Sequence, residues 1–328
     1  MNKLYPLKFK PIFKDKIWGG QKIKSILKKN FSPLPNCGEV WVLSGVEGEP
    51  SIVENGFLKD NELNELVEVY LGDLVGETVF DRFGNEFPIL IKFIDANDWL
   101  SIQVHPDDKL AMKRHNSMGK SEMWYILDAE EDSQLISGFS QKTNKEGYQR
   151  HLNNKTLKSI MNFEKVSKGD VFFIPAGRVH ALGPGILLAE IQQTSDITYR
   201  IYDWNRIDKA GMMRELHTDL ALDAIDFNIA ENYKTNFKTV RNTTVNLVKS
   251  AYFNTSLMDL DRNLTKDYSE LDSFVVYVCA EGSFDLIHEN DKYPVSLGEV
   301  VLLPAITEEI EIHPHLSAKI LEVFILPG

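Results

Sequence analysis

Polar side chains set among apolar residues at strand-like spacing are the part of this sequence that could carry out chemistry. Ser101, Gln103 and His105 alternate with apolar residues, Glu122 opens another strand-like run, and His180 follows a third. Because side chains alternate between the faces of an extended strand, Ser101, Gln103 and His105 are predicted to share one face. Imidazole, carboxylate and amide groups suit zinc, iron or manganese. We therefore predict one divalent metal ion bound by Gln103, His105, Glu122 and His180.

A single Gln-x-His pair is a weak signal, because a histidine on a strand is usually an ordinary core or surface residue. The metal hypothesis is favoured because every candidate lies in or beside an apolar run, where an unpaired polar group is costly to bury.

The composition, 43% hydrophobic and 26% charged over 328 residues, is that of an ordinary globular protein, and this length favours two domains. A net charge of −12 without a basic stripe argues against nucleic acid as a partner. A small anionic substrate would need a local group of cations, for which Lys92, Lys120 and Arg200 are the candidates.

No apolar run of about 18 residues exists, so no membrane span is expected. The first 20 residues lack the apolar core of a signal peptide, and Cys37 and Cys279 form no Cys-x-x-Cys pair. A cytoplasmic location without disulfides is therefore expected. The oligomeric state stays open.

Short apolar runs punctuated by Gly and Pro predict a mainly β fold, a sandwich or barrel, with strands at 87–94, 171–174, 186–189 and 274–278. Apolar periodicity and helix-start residues predict helices at 61–71, after Pro106 with Asp107 and Asp108 in the first turn, at about 146–161, and at 213–225. The polar stretch 228–244 is typical of a linker, so we expect a catalytic domain at 1–240 and a second domain at 241–328.

Residues 166–176 recur as 295–305, with six of eleven positions identical and an offset of 129 residues. At that offset His180 corresponds to Glu309. This predicts a second copy of one supersecondary unit without the metal chemistry, although two unrelated strands with similar turns would look alike. His313 and His315 could imitate a ligand pair, but Pro314 between them is more typical of a turn or a sheet edge.

The pattern Gly-Asp-x-x-x-x-Pro-x-Gly-x-x-His at 169–180 resembles the second motif of the cupins. Together with 87–92, 100–107 and 120–123, and with Trp18-Gly-Gly20 and Gly38-Glu-Val-Trp41, it resembles the short bacterial form of type I phosphomannose isomerase from about residue 7 to 206. The resemblance implies two cupin-type, jelly-roll β-barrels with helical insertions and a helical connector, the C-terminal one degenerate. It also implies interconversion of mannose 6-phosphate and fructose 6-phosphate with one zinc ion on Gln103, His105, Glu122 and His180. The large helical insertion of longer members is missing here, which leaves the phosphate contacts open.

Further roles follow from this resemblance. Lys92 and Lys120 match active-site lysines, and Glu190 and Arg200 match residues that flank the sugar. Lys92 and Ser101 are the candidates for binding the substrate. The even-numbered residues from 190 to 200 would share a face in an unbroken strand, which would place Glu190 and Arg200 together. Glu190 is the first candidate for the proton carrier and Lys120 the second, and Arg200 would bind phosphate or stabilise an enediolate.

Alternatives remain for three of these residues. Arg200 could form a surface ion pair with Asp196 or Asp203, Lys92 could be exposed on an edge strand, and Ser101 could only fill space. For the whole chain, the alternatives are a cupin Fe(II) dioxygenase and a non-catalytic sugar-binding bicupin.

Overall fold

A computed structural model describes residues 3–207 and 211–326, and the fold is mainly β. The strands in chain order are β1 (Ile12–Lys14), β2 (Glu39–Leu43), β3 (Ile89–Ala96), β4 (Ile102–Val104), β5 (Glu122–Ala129), β6 (Gln134–Phe139), β7 (Met161–Lys165), β8 (Val171–Ile174), β9 (His180–Leu182), β10 (Ile186–Gln193), β11 (Tyr199–Tyr202), β12 (Thr244–Lys249), β13 (Asn254–Leu260), β14 (Leu264–Asp267), β15 (Val275–His288), β16 (Asp291–Ser296), β17 (Val300–Leu303) and β18 (Glu309–Phe324). The helices are α1 (Lys22–Ser25), α2 (Leu63–Tyr70), α3 (Gly72–Val75), α4 (Glu77–Phe83), α5 (Asp108–His115), α6 (Lys145–Asn153) and α7 (Thr218–Ala224), with a 3₁₀ turn at Leu157–Ile160.

The chain divides into two compact units, each built from discontinuous segments. The unit called central, after its place in the sequence, contains Phe13–Val40 and Phe93–Thr235. The unit called outer, because it includes both ends of the sequence, contains Met1–Ile12, Trp41–Lys92 and Asn236–Gly328. The predicted boundary at 240 lies close to the junction at 235/236. The outer unit, however, also takes in residues from the first third of the chain, which no composition shift marks.

Two sheets carry the candidate site residues of the central unit. One has the order β1-β2-β3-β10-β5-β8 and the other β11-β4-β9-β6-β7. The core on one side of the site includes Ile102, Val104, Val179 and Ala181, all buried. Alternation therefore sends the apolar residues of β4 and β9 into this core and leaves the neighbouring positions, Gln103 and His180, for the other face.

The C-terminal part of the outer unit is a seven-stranded sheet with the order β12-β13-β18-β15-β16, in which β14 also pairs with β18 and β17 with β15. Its core contains Met258, Tyr277, Phe284 and Ile320, all with no exposed surface. Register shifts interrupt β15 at 279–281 and 282–284, where Gly282 has φ +72°. Such bulges bend a long strand.

Both copies of the predicted internal repeat form the same turn and strand. Ile126 N–H donates to Asp170 O (2.9 Å) and Gly169 N–H to Ile126 O (2.8 Å). In the second copy Cys279 N–H donates to Glu299 O (3.0 Å) and Gly298 N–H to Cys279 O (2.9 Å). The strand register is also shared, because Glu122 pairs with Ile174 just as Val275 pairs with Leu303. The second copy thus has a buried valine where the first has the carboxylate of Glu122.

The predicted elements are present, with corrected ends. The helix expected at 146–161 ends at Asn153, because Lys155 takes φ +57° and a 3₁₀ turn and β7 follow. The helix expected at 213–225 begins only at Thr218. Asp107 is the N-cap of α5 and accepts a hydrogen bond from Leu110 N–H (2.8 Å), so only Asp108 lies in the first turn.

Among the described residues, no helix is both long enough and apolar enough to cross a membrane.

Candidate metal centre and active site

His105, Glu122 and His180 come together between the two sheets of the central unit. Glu122 begins β5, His105 follows β4 and His180 begins β9. Glu122 Oε1 lies 3.3 Å from His180 Nε2, and Glu122 Oε2 lies 3.5 Å from His105 Nε2. All three side chains are about 1% exposed. In the described part of the chain, they are the only group of three or more His, Cys, Asp or Glu residues placed to hold one metal ion.

The second nitrogen of each imidazole is held by a backbone carbonyl. His105 Nδ1 lies 2.9 Å from Ile197 O, and His180 Nδ1 lies 2.9 Å from Arg178 O. A carbonyl only accepts, so each Nδ1 carries the proton and Nε2 of a neutral ring presents its lone pair. Burial lowers the pKa of His180 to about 4, which keeps that ring neutral near pH 7.

A lone pair turned toward a carboxylate oxygen is unfavourable by itself. A divalent cation between them converts the same arrangement into coordination, and Nδ1–H bonded to a carbonyl is the usual support for a ligating histidine. The three residues therefore fit a metal ion.

Gln103 joins this group as predicted from strand alternation. It is directly opposite His180 in the register of β4 and β9, and its Nε2 lies 3.2 Å from His180 Nε2. Ser101 Oγ–H donates to Gln103 Oε1 (3.2 Å), so Ser101 orients the amide and does more than fill space.

Lys120 lies in the same cluster, two residues before β5. Its Nζ is 3.2 Å from His105 Nε2 and 3.3 Å from Glu122 Oε2, and the residue is 4% exposed. An ammonium group is therefore built into the wall of the candidate metal site.

Glu190 is buried on β10, where its Oε2 accepts a hydrogen bond from Trp124 Nε1–H (2.8 Å). The Trp124 ring in turn meets the His180 ring edge-on, with 5.4 Å between centroids. Glu190 is thus linked to His180 by a hydrogen bond to Trp124 and by the contact of that ring with the imidazole.

The condition for the parity argument, an unbroken strand from 190 to 200, is not met. β10 ends at Gln193 in one sheet, and β11 begins at Tyr199 in the other. The residues between them change sheets, so parity does not connect Glu190 with Arg200. Arg200 instead lies opposite Gln103 in the register of β11 and β4.

Arg200 belongs to a cluster of three arginines that sequence reasoning missed. Asp203 is ion-paired with Arg206 and Arg214, and Arg200 Nη1–H donates to Glu215 O (2.8 Å). Asp203 is thus engaged by the other two arginines rather than by Arg200. Burial, and secondarily the charge of Arg214, lower the pKa of Arg200.

Lys92 is 7% exposed on β3, which lies between β2 and β10, so the alternative of an exposed edge residue is wrong. Its Nζ lies 5.9 Å from the centre of the Trp41 ring, a cation–π distance.

Asp108 is a further residue that the sequence did not single out for the site. Its Oδ1 accepts hydrogen bonds from Gly119 N–H (2.8 Å) and Gln193 Nε2–H (2.9 Å), and Gln193 Oε1 accepts from Ser121 N–H (2.8 Å). This clamp fixes the backbone on either side of Lys120. No spacing signal could have revealed partners 11 and 85 residues away.

Two of the glycine motifs have a packing explanation. A Cβ on Gly19 would lie 2.5 Å from Gly38 N, and a Cβ on Gly20 would lie 2.6 Å from Asp95 Oδ2. The close approach of the Gly38 backbone at Gly19, and of the Asp95 carboxylate at Gly20, therefore leaves no room for a side chain at either position.

A mainly β fold with a buried His/Glu/His group between two sheets defines a cupin-type protein with a candidate metal centre. The profile of the phosphomannose isomerase type I catalytic domain matches residues 6–155, and that of the mannose-6-phosphate isomerase cupin domain matches residues 243–321. The mannose-6-phosphate isomerase ManA of Bacillus subtilis (strain 168) is 35% identical over 302 residues, covering 91% of this chain and 93% of the relative. The chain belongs to the type I phosphomannose isomerase family.

Solved structures agree with this assignment. The crystal structure of the mannose 6-phosphate isomerase from Bacillus subtilis superposes with a TM-score of 0.87 at 31% identity, covering 98% of this chain and 99% of that one. A mannose 6-phosphate isomerase crystallised with zinc and yttrium has the same fold, with a TM-score of 0.78 at 16% identity over 98% of this chain and 99% of that one.

Proposed function

We propose that this chain is a metal-dependent aldose–ketose isomerase that interconverts mannose 6-phosphate and fructose 6-phosphate through an enediol. The observation that carries the proposal is the convergence of two imidazole nitrogens and a carboxylate at His105, Glu122 and His180, inside a chain of this family.

Gln103, His105, Glu122 and His180 are the residues that would hold the ion, for which we propose Zn²⁺. Imidazole and carboxylate ligands suit zinc, and a protein of the same fold was crystallised with it. When bound, the ion would supply a Lewis acid for the negative charge that develops on the sugar oxygen. Gln103 can present Oε1 to a cation if its amide turns over, because Ser101 Oγ can also accept from the amide nitrogen.

Proton transfer between C1 and C2 falls to Glu190 or Lys120. Glu190 is held by Trp124, which fixes one oxygen as an acceptor. Lys120 is the candidate in direct contact with the metal group. Replacement of Glu190 by Gln keeps an acceptor for Trp124 but cannot carry a proton, so the pH profile of this variant separates the two roles.

Recognition of the substrate's negative charge is proposed for Arg200, with Arg206 and Arg214 beside it and Lys92 as a further candidate. Arg206 and Arg214 are ion-paired with Asp203, and Arg206 also with Asp98 (3.5 Å), whereas Arg200 Nη1–H donates to a backbone oxygen and Arg200 Nε is buried without a hydrogen-bond partner among the described residues. The planar fork of arginine suits the oxygens of a phosphate.

We further propose that 241–328 forms a second, degenerate cupin-type barrel after a catalytic barrel within 1–240. The shared turn, hydrogen bonds and register of the repeat support this. Both cysteines are free and buried, in keeping with the proposed cytoplasmic location.

The test is a coupled assay with mannose 6-phosphate on protein whose metal content has been measured. Isomerisation without oxygen, in proportion to bound metal, is the expected result. Oxygen consumption without isomerisation would favour a dioxygenase, and binding of the sugar phosphate without turnover would favour a non-catalytic bicupin.

A further inference from the structure

The outer unit contains a cavity that the proposed reaction does not use. Its volume is about 640 Å³, and it lies between residues 3–8, the loop 55–57 and the hairpin 288–294 that joins β15 to β16. All three segments belong to the outer unit. Sites for small molecules typically have volumes of about 300–1,000 Å³.

One wall of this hairpin cavity is a fixed aromatic pair. The rings of Tyr5 and Phe57 are 5.1 Å apart at 54°. Tyr5 O–H donates to Asn55 O (2.8 Å) and its oxygen accepts from Leu58 N–H (2.9 Å). Gly56 takes φ +64°, and a Cβ there would lie 2.3 Å from the Tyr5 ring. The loop is thus shaped around Tyr5, while Phe57 stays 47% exposed at the cavity.

The cavity also contains two polar groups without a partner among the described residues. His288 is 9% exposed, and no described side chain or backbone group hydrogen-bonds to its ring. The same holds for the hydroxyl of half-buried Tyr293. Neither polar group is among the fully buried side-chain atoms that lack a partner, so both open into the cavity. A ligand in the cavity would supply the hydrogen-bond partner that solvent otherwise provides.

Both groups are neutral near pH 7. Burial lowers the pKa of His288 and raises the pKa of Tyr293 to about 12. A neutral imidazole and a phenol each offer one donor and one acceptor. Hydroxyl groups match both, whereas a carboxylate or a phosphate can only accept.

The lysines around the cavity are already ion-paired. Lys3 pairs with Glu289, Lys8 with Glu299 at 3.2 Å and Lys292 with Asp285 at 2.6 Å. The site therefore offers little to a negatively charged ligand.

We propose that the hairpin cavity binds an uncharged saccharide, whose apolar ring face packs on Tyr5 and Phe57 and whose hydroxyls pair with His288 and Tyr293. This is a binding site without catalysis, separate from the metal centre and independent of the isomerase reaction. Flat aromatic faces suit the C–H face of a pyranose, and the few polar groups fix its orientation.

Saturation-transfer NMR on the metal-loaded protein tests this, with methyl α-D-mannopyranoside and methyl β-D-glucopyranoside as probes. Methyl glycosides have no free anomeric hydroxyl, so their ring cannot open to the aldehyde and the isomerase reaction cannot consume them. We expect magnetisation transfer to at least one probe that persists with excess mannose 6-phosphate. Phe57→Ala should abolish it, and Tyr293→Phe should raise the Kd about threefold to tenfold through loss of one neutral hydrogen bond.

Phe163→Ala is the matched control, because Phe163 is a 39% exposed phenylalanine in the central unit and its loss should leave transfer unchanged. Three outcomes would overturn the proposal: no transfer to either probe, transfer displaced by mannose 6-phosphate, or transfer unaffected by both cavity variants. None of them bears on isomerase activity, which the coupled assay measures separately.

Discussion

Each imidazole of the candidate metal centre is oriented by a backbone carbonyl, so its ligand atom is defined before any ion binds. His105 uses Ile197 O and His180 uses Arg178 O, while their Nε2 atoms face Glu122. Removing one ring takes away one of the four candidate ligands and its carbonyl-oriented nitrogen, so the ion should be bound more weakly and held in a different geometry.

His180→Ala is therefore expected to lower both bound metal per chain and turnover, the latter by about a hundredfold or more, since a Lewis acid contributes several kcal/mol to the barrier. Elemental analysis and the coupled assay check the two effects. His151→Ala, on α6, is the control and should change neither. Full activity in a His180→Ala protein without metal would refute the metal role.

Arg200 is the main candidate for binding the phosphate of the substrate. Arg200→Lys keeps the charge but loses the planar fork, so we expect kcat/KM for mannose 6-phosphate to fall by about tenfold to a hundredfold, the effect of one charge-assisted hydrogen bond. Metal content and thermal midpoint should stay near those of the wild type. The exposed Arg150→Lys is the control. Unchanged kinetics would make Arg200 a bystander.

At the scale of elements, two adjacent aspartates at the start of α5 have different roles. Asp107 caps the helix at Leu110 N–H, whereas Asp108 accepts from Gly119 N–H and the Gln193 amide beside Lys120. One residue serves the stability of the helix, and its neighbour serves the position of the lysine.

Asp107→Ala should lower the free energy of unfolding by about 1 kcal/mol, the usual value of an N-cap, with turnover close to wild type. Asp108→Ala should reduce turnover by about tenfold to a hundredfold, because Lys120 loses its fixed backbone. Asp108→Asn retains an acceptor oxygen and should restore much of the activity. Urea denaturation and the coupled assay separate the two effects, and equal loss of turnover in the Asp107→Ala and Asp108→Ala variants would contradict this division.

At the scale of the whole molecule, one supersecondary unit occurs twice with different chemistry. The first copy carries Glu122 opposite Ile174, and the second carries Val275 opposite Leu303. His313 pairs with Glu311 (2.7 Å) and His315 with Asp285 (2.9 Å). Pro314 lies inside β18, opposite Phe284 of β15 and between the stretches that pair with β14 and with β13, so the expected turn is not present there.

We therefore predict about one tightly bound ion per chain after dialysis, as expected for a single complete ligand set. The double variant His313→Ala/His315→Ala should retain it. Two ions per chain, with the second lost in the double variant, would show a metal site in the C-terminal segment.

The sequence by itself determined what is local or strictly periodic. Strand alternation placed Ser101 and Gln103 on one face, the order of motifs indicated the family, and the repeat at 166–176 and 295–305 predicted a shared turn and strand. These features depend on neighbours within a few residues, and such neighbours are constrained by backbone geometry alone.

Only the tertiary structure decided which distant faces meet. The change of sheet after Gln193 breaks the parity that linked Glu190 to Arg200. The arginine cluster at Asp203, the clamp at Asp108 and the cavity beside Tyr5 all join segments without a common period. A bend between two strands can place the side chains of the second strand in another sheet, and the spacing of residues in the sequence does not reveal such a bend. The periodic part of the site could therefore be read from the sequence, whereas its surroundings depend on how the strands pair and pack.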